Sequence, residues 1–388
     1  MRGSVKSNGP GRWKLVFDLP RGPDGNRRQV FRRVNGTKAE AEEKFHELMA
    51  EYKNGGFVEP SRLTVSGFLE KWLDTIEPSV SGKTYERYDQ LIKNHITPQL
   101  GDIVLQKLHP MHIQEFYNKL LAEGRVDGMG GLSPRSVKHT HRVFKKALTQ
   151  AVTWKLITSN PTEGAVLPKV ENKEIEFLDR GELATLLDAL EGRSLHPIVL
   201  LAATTGMRRG ELLGLHWSDV DLDEGWLRVT QTLEQTTKHG LQLKEPKSKA
   251  GRRKISLPQI TVAMLRKHQL DQSELRLKLG LGGQNDGLVL PVLDADKGFT
   301  FRSPRALTKE FDRLVRSLDI TRITFHGLRH THITHLLMDN VPIKLVSQRA
   351  GHASVSITLD VYGHVLPDMQ QGVADLIDQQ LGKGKSEQ

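Results

Sequence analysis

The chain has 388 residues, more than one hydrophobic core usually organises, so two or three domains are expected. Hydrophobic residues make up 37% and charged residues 26%, which excludes wholesale disorder, and a net charge of +10 suits a polyanionic partner. Cysteine is absent, which excludes disulfides and thiolate metal sites and fits a reducing cytosol; with no apolar run of about 18 residues and no apolar segment behind the basic N-terminus, neither a membrane span nor a signal peptide is expected.

Most of the excess charge lies at the front. Residues 1–38 carry ten basic side chains (Arg2, Lys6, Arg12, Lys14, Arg21, Arg27, Arg28, Arg32, Arg33 and Lys38) against Asp18 and Asp24, a net of +8. Trp13, Leu15 and Phe17 alternate with Lys14 and Val16 as in a half-buried strand, Gly22-Pro23-Asp24-Gly25 supplies a turn, and Gln29-Val30-Phe31 returns. Thr37 with Glu40 forms a capping box, and Ala41, Phe45, Leu48, Met49 and Tyr52 recur at helical spacing. Residues 1–60 are therefore expected to form a small sheet braced by one helix. Arg12, Lys14, Arg27, Arg28, Arg32 and Arg33 surround its strands, and such a unit can enter a DNA major groove. The plainer alternative is a basic appendage that only supports the fold. Asn54-Gly55-Gly56 and Glu59-Pro60 mark a linker.

From Thr64 to about Pro161 the pattern is helical. Phe68, Leu69, Trp72 and Leu73 face one way. A segment from Ser81 carries Tyr85, Tyr88, Leu91 and Ile92 and is expected to break at Pro98 and Gly101, with further breaks at Pro110 and from Gly124 to Gly131. Ser133-Pro134 opens a long helix with Val137, His141, Phe144, Leu148 and Ala151 on one stripe. Its opposite face shows Arg135, Lys138, His139, Arg142 and Lys145. These cations, with Lys83 and Arg87, are candidate phosphate contacts, although a charged stripe is ordinarily a solvated face. Asn160-Pro161 through Lys173 reads as a second linker, giving a helical domain with its linker over 61–172.

Leu178-Asp179-Arg180-Gly181-Glu182 starts a capped helix, and helices are expected to predominate through the remaining domain, 173–388. The exception lies around 220–260, where Trp226-Leu227-Arg228-Val229-Thr230 and Lys254-Ile255-Ser256-Leu257 read as strands. The fold class is thus mainly α with small β-sheets, in three domains. A last helix from Met369 to Leu381, apolar at Val373, Leu376 and Ile377, packs either on its own chain or on a neighbouring copy. Residues 380–388 read as a polar tail.

Chemistry-bearing residues concentrate in this third domain. Thr205-Gly206-Met207-Arg208-Arg209-Gly210-Glu211 comes first, and Pro246-Lys247-Ser248-Lys249-Ala250-Gly251-Arg252-Arg253 stands where a hairpin would turn. His326-Gly327-Leu328-Arg329, Gly351-His352 and Tyr362 follow. Guanidiniums grip phosphate oxygens, imidazoles move protons, and a phenol can be held as a covalent phosphoester. On a helix, His326 and Arg329 share a face. Each residue alone has a bland reading: Arg208 and Glu211 as a surface ion pair, Tyr362 as packing, and His326, His330, His332 and His335 as a metal site, which no HExxH pattern supports.

Together, in this order over the 155 residues from Arg208 to Tyr362, the set resembles the tyrosine recombinases, the phage-type integrases. The resemblance implies a site-specific DNA recombinase that integrates or excises a mobile element through a 3′-phosphotyrosine on Tyr362, without metal or other cofactor. It implies that Arg208 and Arg329 bind the scissile phosphate, and that His326 and His352 hydrogen-bond it or assist proton movement. Lys247, or Lys249 in the same turn, would protonate the leaving group, and Glu211 would orient Arg208 or a histidine. The front unit is similar to an arm-type DNA-binding domain and the helical unit to a core-binding domain. Implied partners are double-stranded DNA at attachment sites, a homotetramer in the synapse, and DNA-bending or excision factors, all in the cytoplasm of a bacterial host, away from any membrane. The alternatives are a type IB-like topoisomerase and a non-catalytic DNA-binding regulator.

Overall fold

The computed structural model describes residues 3–19, 25–26, 28–53, 58–171, 175–246, 248–281, 287–363, 374 and 377–381. The backbone divides into two compact units, Met1–Asn172 and Lys173–Gln388. Among the described residues no helix is long and apolar enough to cross a membrane.

At the front, β1 (Gly3–Ser7), β2 (Arg12–Leu19) and β3 (Arg28–Asn35) form an antiparallel sheet with β2 central, and α1 (Lys38–Lys53) lies on one face. Leu15 and Phe17 are buried under that helix, where the Phe17 and Phe45 rings stack 5.1 Å apart. The capping box is present: the Thr37 backbone N–H donates to Glu40 Oε2 (2.8 Å) and the Glu40 N–H to Thr37 Oγ1 (3.3 Å). Strand β1 is absent from the expected elements because its one apolar residue, Val5, gives no alternation to read. Register places Lys6 opposite Lys14, and Lys14 opposite Arg33. Directly opposed residues share a face, so a row of three cations crosses the side away from α1, with Arg12 on the same side. Arg32 is opposite Leu15 and belongs to the other side. Residues 22–24 of the expected turn, the 54–56 linker, Arg27 and the Arg28 side chain lie outside the described residues.

The helical region runs α2 (Val65–Ile76), α3 (Gly82–Leu91), α4 (Thr97–Leu100), α5 (Pro110–Glu123) and α6 (Pro134–Thr153). Thr64, Ser81 and Ser133 accept backbone N–H bonds as N-caps of α2, α3 and α6. Phe68, Trp72, Ile92, Ile113, Tyr117, Phe144 and Leu148 fill the core. Buried His141 accepts its place there by pairing with the Tyr117 hydroxyl at 2.7 Å. The expected break at Pro98 does not occur. A π-turn over Ile92–Ile96 joins α3 to α4, and the Thr97 N–H reaches back five residues to the Ile92 carbonyl. Pro98 then falls in the first turn of α4, where an absent N–H is tolerated, and the helix stops at Gly101.

In the second unit, α7 (Arg180–Asp188), α8 (His196–Thr205) and α9 (Arg209–Leu213) lead into β4 (Val220–Asp221), β5 (Trp226–Val229), β6 (Thr232–Thr236), β7 (Gly240–Lys244) and β8 (Arg253–Ser256). Then come α10 (Gln259–Lys278), β9 (Pro291–Asp294), β10 (Gly298–Phe301), α11 (Pro304–Arg316), α12 (Gly327–Met338), α13 (Ile343–Ala350) and α14 (Val355–Tyr362). Strands order as β4-β5-β8, with β6-β7 and β9-β10 as separate hairpins. Leu201, Leu212, Leu227, Ile255, Leu265, Phe311 and Leu328 share one core. Two expectations change. The Pro246–Arg252 stretch is no hairpin turn but a connection from β7 to β8, strands of different sheets, because Ile255 is paired opposite Leu227 in the core. The β9-β10 hairpin interrupts the run of helices; Asp294 accepts the Asp296 and Lys297 N–H groups at its turn and Gly298 takes φ +68°. Most of the expected last helix lies outside the described residues, although 377–381 is helical.

Candidate active site

Two helix ends set the site. Helix α8 terminates at Gly206 with φ +64°, and α13 terminates at Gly351 with φ +67°. A side chain at either position would also collide: a Cβ at Gly206 would lie 2.6 Å from the His332 ring, and one at Gly351 2.7 Å from the Arg253 guanidinium. Both positions need glycine. The sharp exits they allow deliver Arg208 just beyond the first helix and His352 just beyond the second. Arg208 is the N-cap of α9 rather than a residue within it.

Glu211 ties these exits together. Its carboxylate accepts from Arg208 Nη1 (2.8 Å), the Arg208 backbone N–H (2.9 Å) and Arg253 Nη2 (2.9 Å). Burial alone would push this carboxyl up, but the Arg253 hydrogen bond and charge, with Arg208, hold it below its usual range. Arg253 also donates through Nε to the Arg349 carbonyl (2.7 Å), and Arg208 Nη2 donates to the Gly351 carbonyl (2.9 Å).

Helix α12 supplies the opposite wall. Arg329, 3% exposed, donates from Nη1 to the Gly206 carbonyl (2.7 Å). Its Nη2 is buried and, among the described residues, has no hydrogen-bond partner. Burial and then the Arg208 charge lower its pKa to about 10, so it remains a cation at neutral pH. His326 caps the helix, and its imidazole is pushed down to about 4 by burial, then by His330 and Arg329. His352 is likewise down to about 4, by burial and then the Arg329 and Arg208 charges, and its Nδ1 lies 2.8 Å from the Thr358 hydroxyl. Tyr362 ends α14 with 2% of its surface exposed, and its hydroxyl is 2.6 Å from His330 Nδ1. Burial raises this phenol to about 12, against the opposing pull of Arg329.

Arg208, Glu211, His326, Arg329, His352 and Tyr362 thus come together around α12 and the two glycine exits. Lys247 lies outside the described residues; Lys249 begins a single 3₁₀ turn, Lys249–Gly251, with its side chain exposed. Three of the four histidines considered as a metal set have hydrogen-bond partners of their own. His330 meets Tyr362, His335 meets the Leu178 carbonyl, and His332 donates from Nδ1 to the Ala203 carbonyl while its Nε2 accepts from Arg349 Nε. His330, Arg253, Arg349 and Thr358 are site residues that the sequence reading did not select. His330 carried a visible signal, one helical turn after His326 and adjacent to Arg329.

The candidate DNA contacts spread over both regions of the first unit. Arg12, Lys14 and Arg33 share one sheet face, and the Lys14 ammonium lies 4.2 Å from the Phe31 ring centre. Arg87 lines a groove with Asn94, His95 and Ser136, while Arg135 and Arg142 are exposed on α6 and Lys138 is half-buried. Lys83 and Lys145 pair with Glu86 (3.4 Å) and Glu163 (3.8 Å).

Comparison with known proteins gives a consistent result. Residues 176–369 match the phage integrase family, and residues 64–121 match the phage integrase N-terminal SAM-like domain. A XerC-like tyrosine recombinase of Caldanaerobacter subterraneus subsp. tengcongensis is 30% identical over 375 residues, covering 92% of this chain and 94% of that protein. The ICEBs1 integrase of Bacillus subtilis is 24% identical, covering 97% of this chain and all of its own length. Among solved structures, the Tn1549 transposon integrase in complex with transposon right end DNA superposes with a TM-score of 0.67 at 19% identity, covering 81% of this chain and 99% of that one. A lambda integrase dimer bound to a core site gives 0.56 at 21% identity, covering 77% and 95%.

Proposed function

The chain belongs to the phage integrase family of tyrosine recombinases, enzymes that break and rejoin DNA at specific sites, and on that premise we propose that Tyr362 is its nucleophile. The phenolic oxygen bonds to the scissile phosphorus, the bond to the 5′ oxygen breaks, and the 5′ oxygen leaves as a hydroxyl after taking a proton from Lys247 or Lys249. The 3′-phosphotyrosine that results keeps the bond energy, so attack by a 5′-hydroxyl from a partner strand reseals the backbone. Arg208 and Arg329 neutralise the crowded phosphate, a preorganised charge effect of several kcal/mol. His326 and His352, both neutral at pH 7, hydrogen-bond its oxygens, and Glu211 holds Arg208 in position.

The observation that carries this reading is Arg329. A buried guanidinium with Nη2 unpartnered among the described residues is costly unless an anion completes it. Its position beside Gly206, two residues from Arg208, supports a shared phosphate as that anion.

Residues 173–388 form the catalytic domain in this reading, 61–172 the core-binding domain and 1–60 an arm-binding domain that applies its Lys6, Lys14 and Arg33 row to DNA. Exchange between two duplexes requires four cleavage centres and hence a tetramer on the attachment sites, in the cytoplasm of a bacterial host, with DNA-bending or excision factors as further partners. The test is a suicide DNA substrate carrying the true site. Wild type should form a covalent adduct that survives denaturation, insensitive to EDTA, and Tyr362→Phe should bind the site equally and form none. Equal adduct from both proteins, or relaxation of site-free supercoiled DNA without recombinants, overturns the assignment.

A further inference from the structure

The Tyr362 hydroxyl is not left to solvent or to either arginine. Its partner is His330 Nδ1 at 2.6 Å, with ring centres 5.6 Å apart. His330 stands one turn beyond His326 on α12, and the two imidazoles meet edge to face at 4.9 Å. With Tyr362 this closely enclosed, the phenolic proton has a single basic atom within reach among the contacts seen. Attack on phosphorus requires that proton to leave, and a phenol held near 12 does not shed it to bulk water at neutral pH.

We infer that His330 is a further catalytic residue, the base that takes the Tyr362 proton as the phosphotyrosine bond forms and returns it when the strand is resealed. This rests on the proposed role of Tyr362 as nucleophile. The proton balance is complete: Oη bonds to phosphorus, its proton passes to Nδ1, the bond to the 5′ oxygen breaks, and that oxygen is protonated separately by the lysine. On resealing, the incoming 5′-hydroxyl gives up its proton to the lysine and imidazolium His330 reprotonates the departing phenolate. Burial, followed by the Arg329 charge, holds His330 below its ordinary titration range. It therefore rests neutral, and in the proposed role its ring proton sits on Nε2, which leaves the Nδ1 lone pair to accept from the phenol.

The experiment is single-turnover adduct formation by His330→Ala and His330→Asn on the suicide substrate, with site binding measured in parallel. Asparagine keeps a hydrogen-bonding group near the Nδ1 position but cannot act as a base. Both variants should bind DNA like wild type and form adduct about 100-fold or more slowly, the span usual for lost acid–base catalysis. A second substrate, with sulfur in place of the bridging 5′ oxygen, has a leaving group that needs no proton. It should leave both variants slow while restoring a Lys247→Ala or Lys249→Ala defect. Wild-type rates in both variants, a normal rate in His330→Asn alone, or recovery of either variant on the sulfur substrate would each refute a proton-accepting role. Should His330→Ala fail to bind DNA, His330→Asn decides the question. Absence of adduct from wild type, or its persistence in Tyr362→Phe, would instead strike at the nucleophile assignment.

Discussion

One carboxylate, Glu211, serves two guanidiniums, and its burial makes it a fixed part of the site rather than a solvent-screened pair. Glu211→Gln keeps the shape and removes the charge. Arg253, 7% exposed, then retains a buried positive charge without its counter-ion, a change that costs on the order of 3–5 kcal/mol in such pairs. Urea unfolding should show a loss of that size, and adduct formation should fall with it because Arg208 and Arg253 lose their common anchor. Unchanged stability would mean the carboxylate is dispensable. At this scale the sequence was informative wherever function is written as a local string: Arg208 to Glu211, His326 to Arg329, and Gly351-His352. It was uninformative where a role depends on a distant partner. His330 meets a tyrosine 32 positions later, and Arg253 reaches a glutamate 42 positions earlier. No local pattern encodes either distance.

Among elements, caps and stripes proved legible because each is a short-range physical cause. Thr37, Ser81, Ser133 and Asp179 all begin helices as their side-chain chemistry dictates. Breaks were less legible. Pro98 is accommodated by a π-turn, and the β9-β10 hairpin has strands only four residues long, too short for alternation to stand out. The helix end at Gly351 gives the sharpest element-level prediction. Gly351→Ala forces an L-residue to φ +67° and puts its methyl 2.7 Å from Arg253. Strain of about 1–3 kcal/mol should appear as a lower melting temperature. His352 should be displaced with it, so adduct formation should drop further than the loss of site binding or stability in Gly351→Ala would explain. Wild-type cleavage by Gly351→Ala would show that this exit does not aim His352.

For the molecule as a whole, buried neutral imidazoles predict acid sensitivity. His332, pushed down to about 3 by burial and then by Arg349, must stay unprotonated to accept from Arg349. Its unfolded value is about 6.5. Because the unfolded chain binds the proton more readily, this contribution is complete above about pH 6.5 and drains away as pH falls toward 3. The loss from this group alone is about 2 kcal/mol by pH 5. Denaturant unfolding at pH 7 and pH 5 checks it, and equal stability at both would deny the neutral His332. Charge predicts salt dependence in the same way. Replacing Lys6, Lys14 and Arg33 together by alanine should flatten the log–log slope of DNA affinity against salt by about 3, with core-site cleavage retained. A slope that stays the same would remove the sheet row from the DNA interface.

Tyr362 has one more consequence. A phenol with only 2% of its surface showing is closed to any duplex that merely drifts past, so on the nucleophile role proposed for Tyr362 stray backbone meets guanidinium but nothing able to cut it. The resting enzyme is therefore sheathed. Electrophilic ring reagents such as tetranitromethane should spare this tyrosine in the free protein and reach it only once engagement with the proper site has uncovered the ring edge beside His330, making exposure of a single side chain the step that arms the blade.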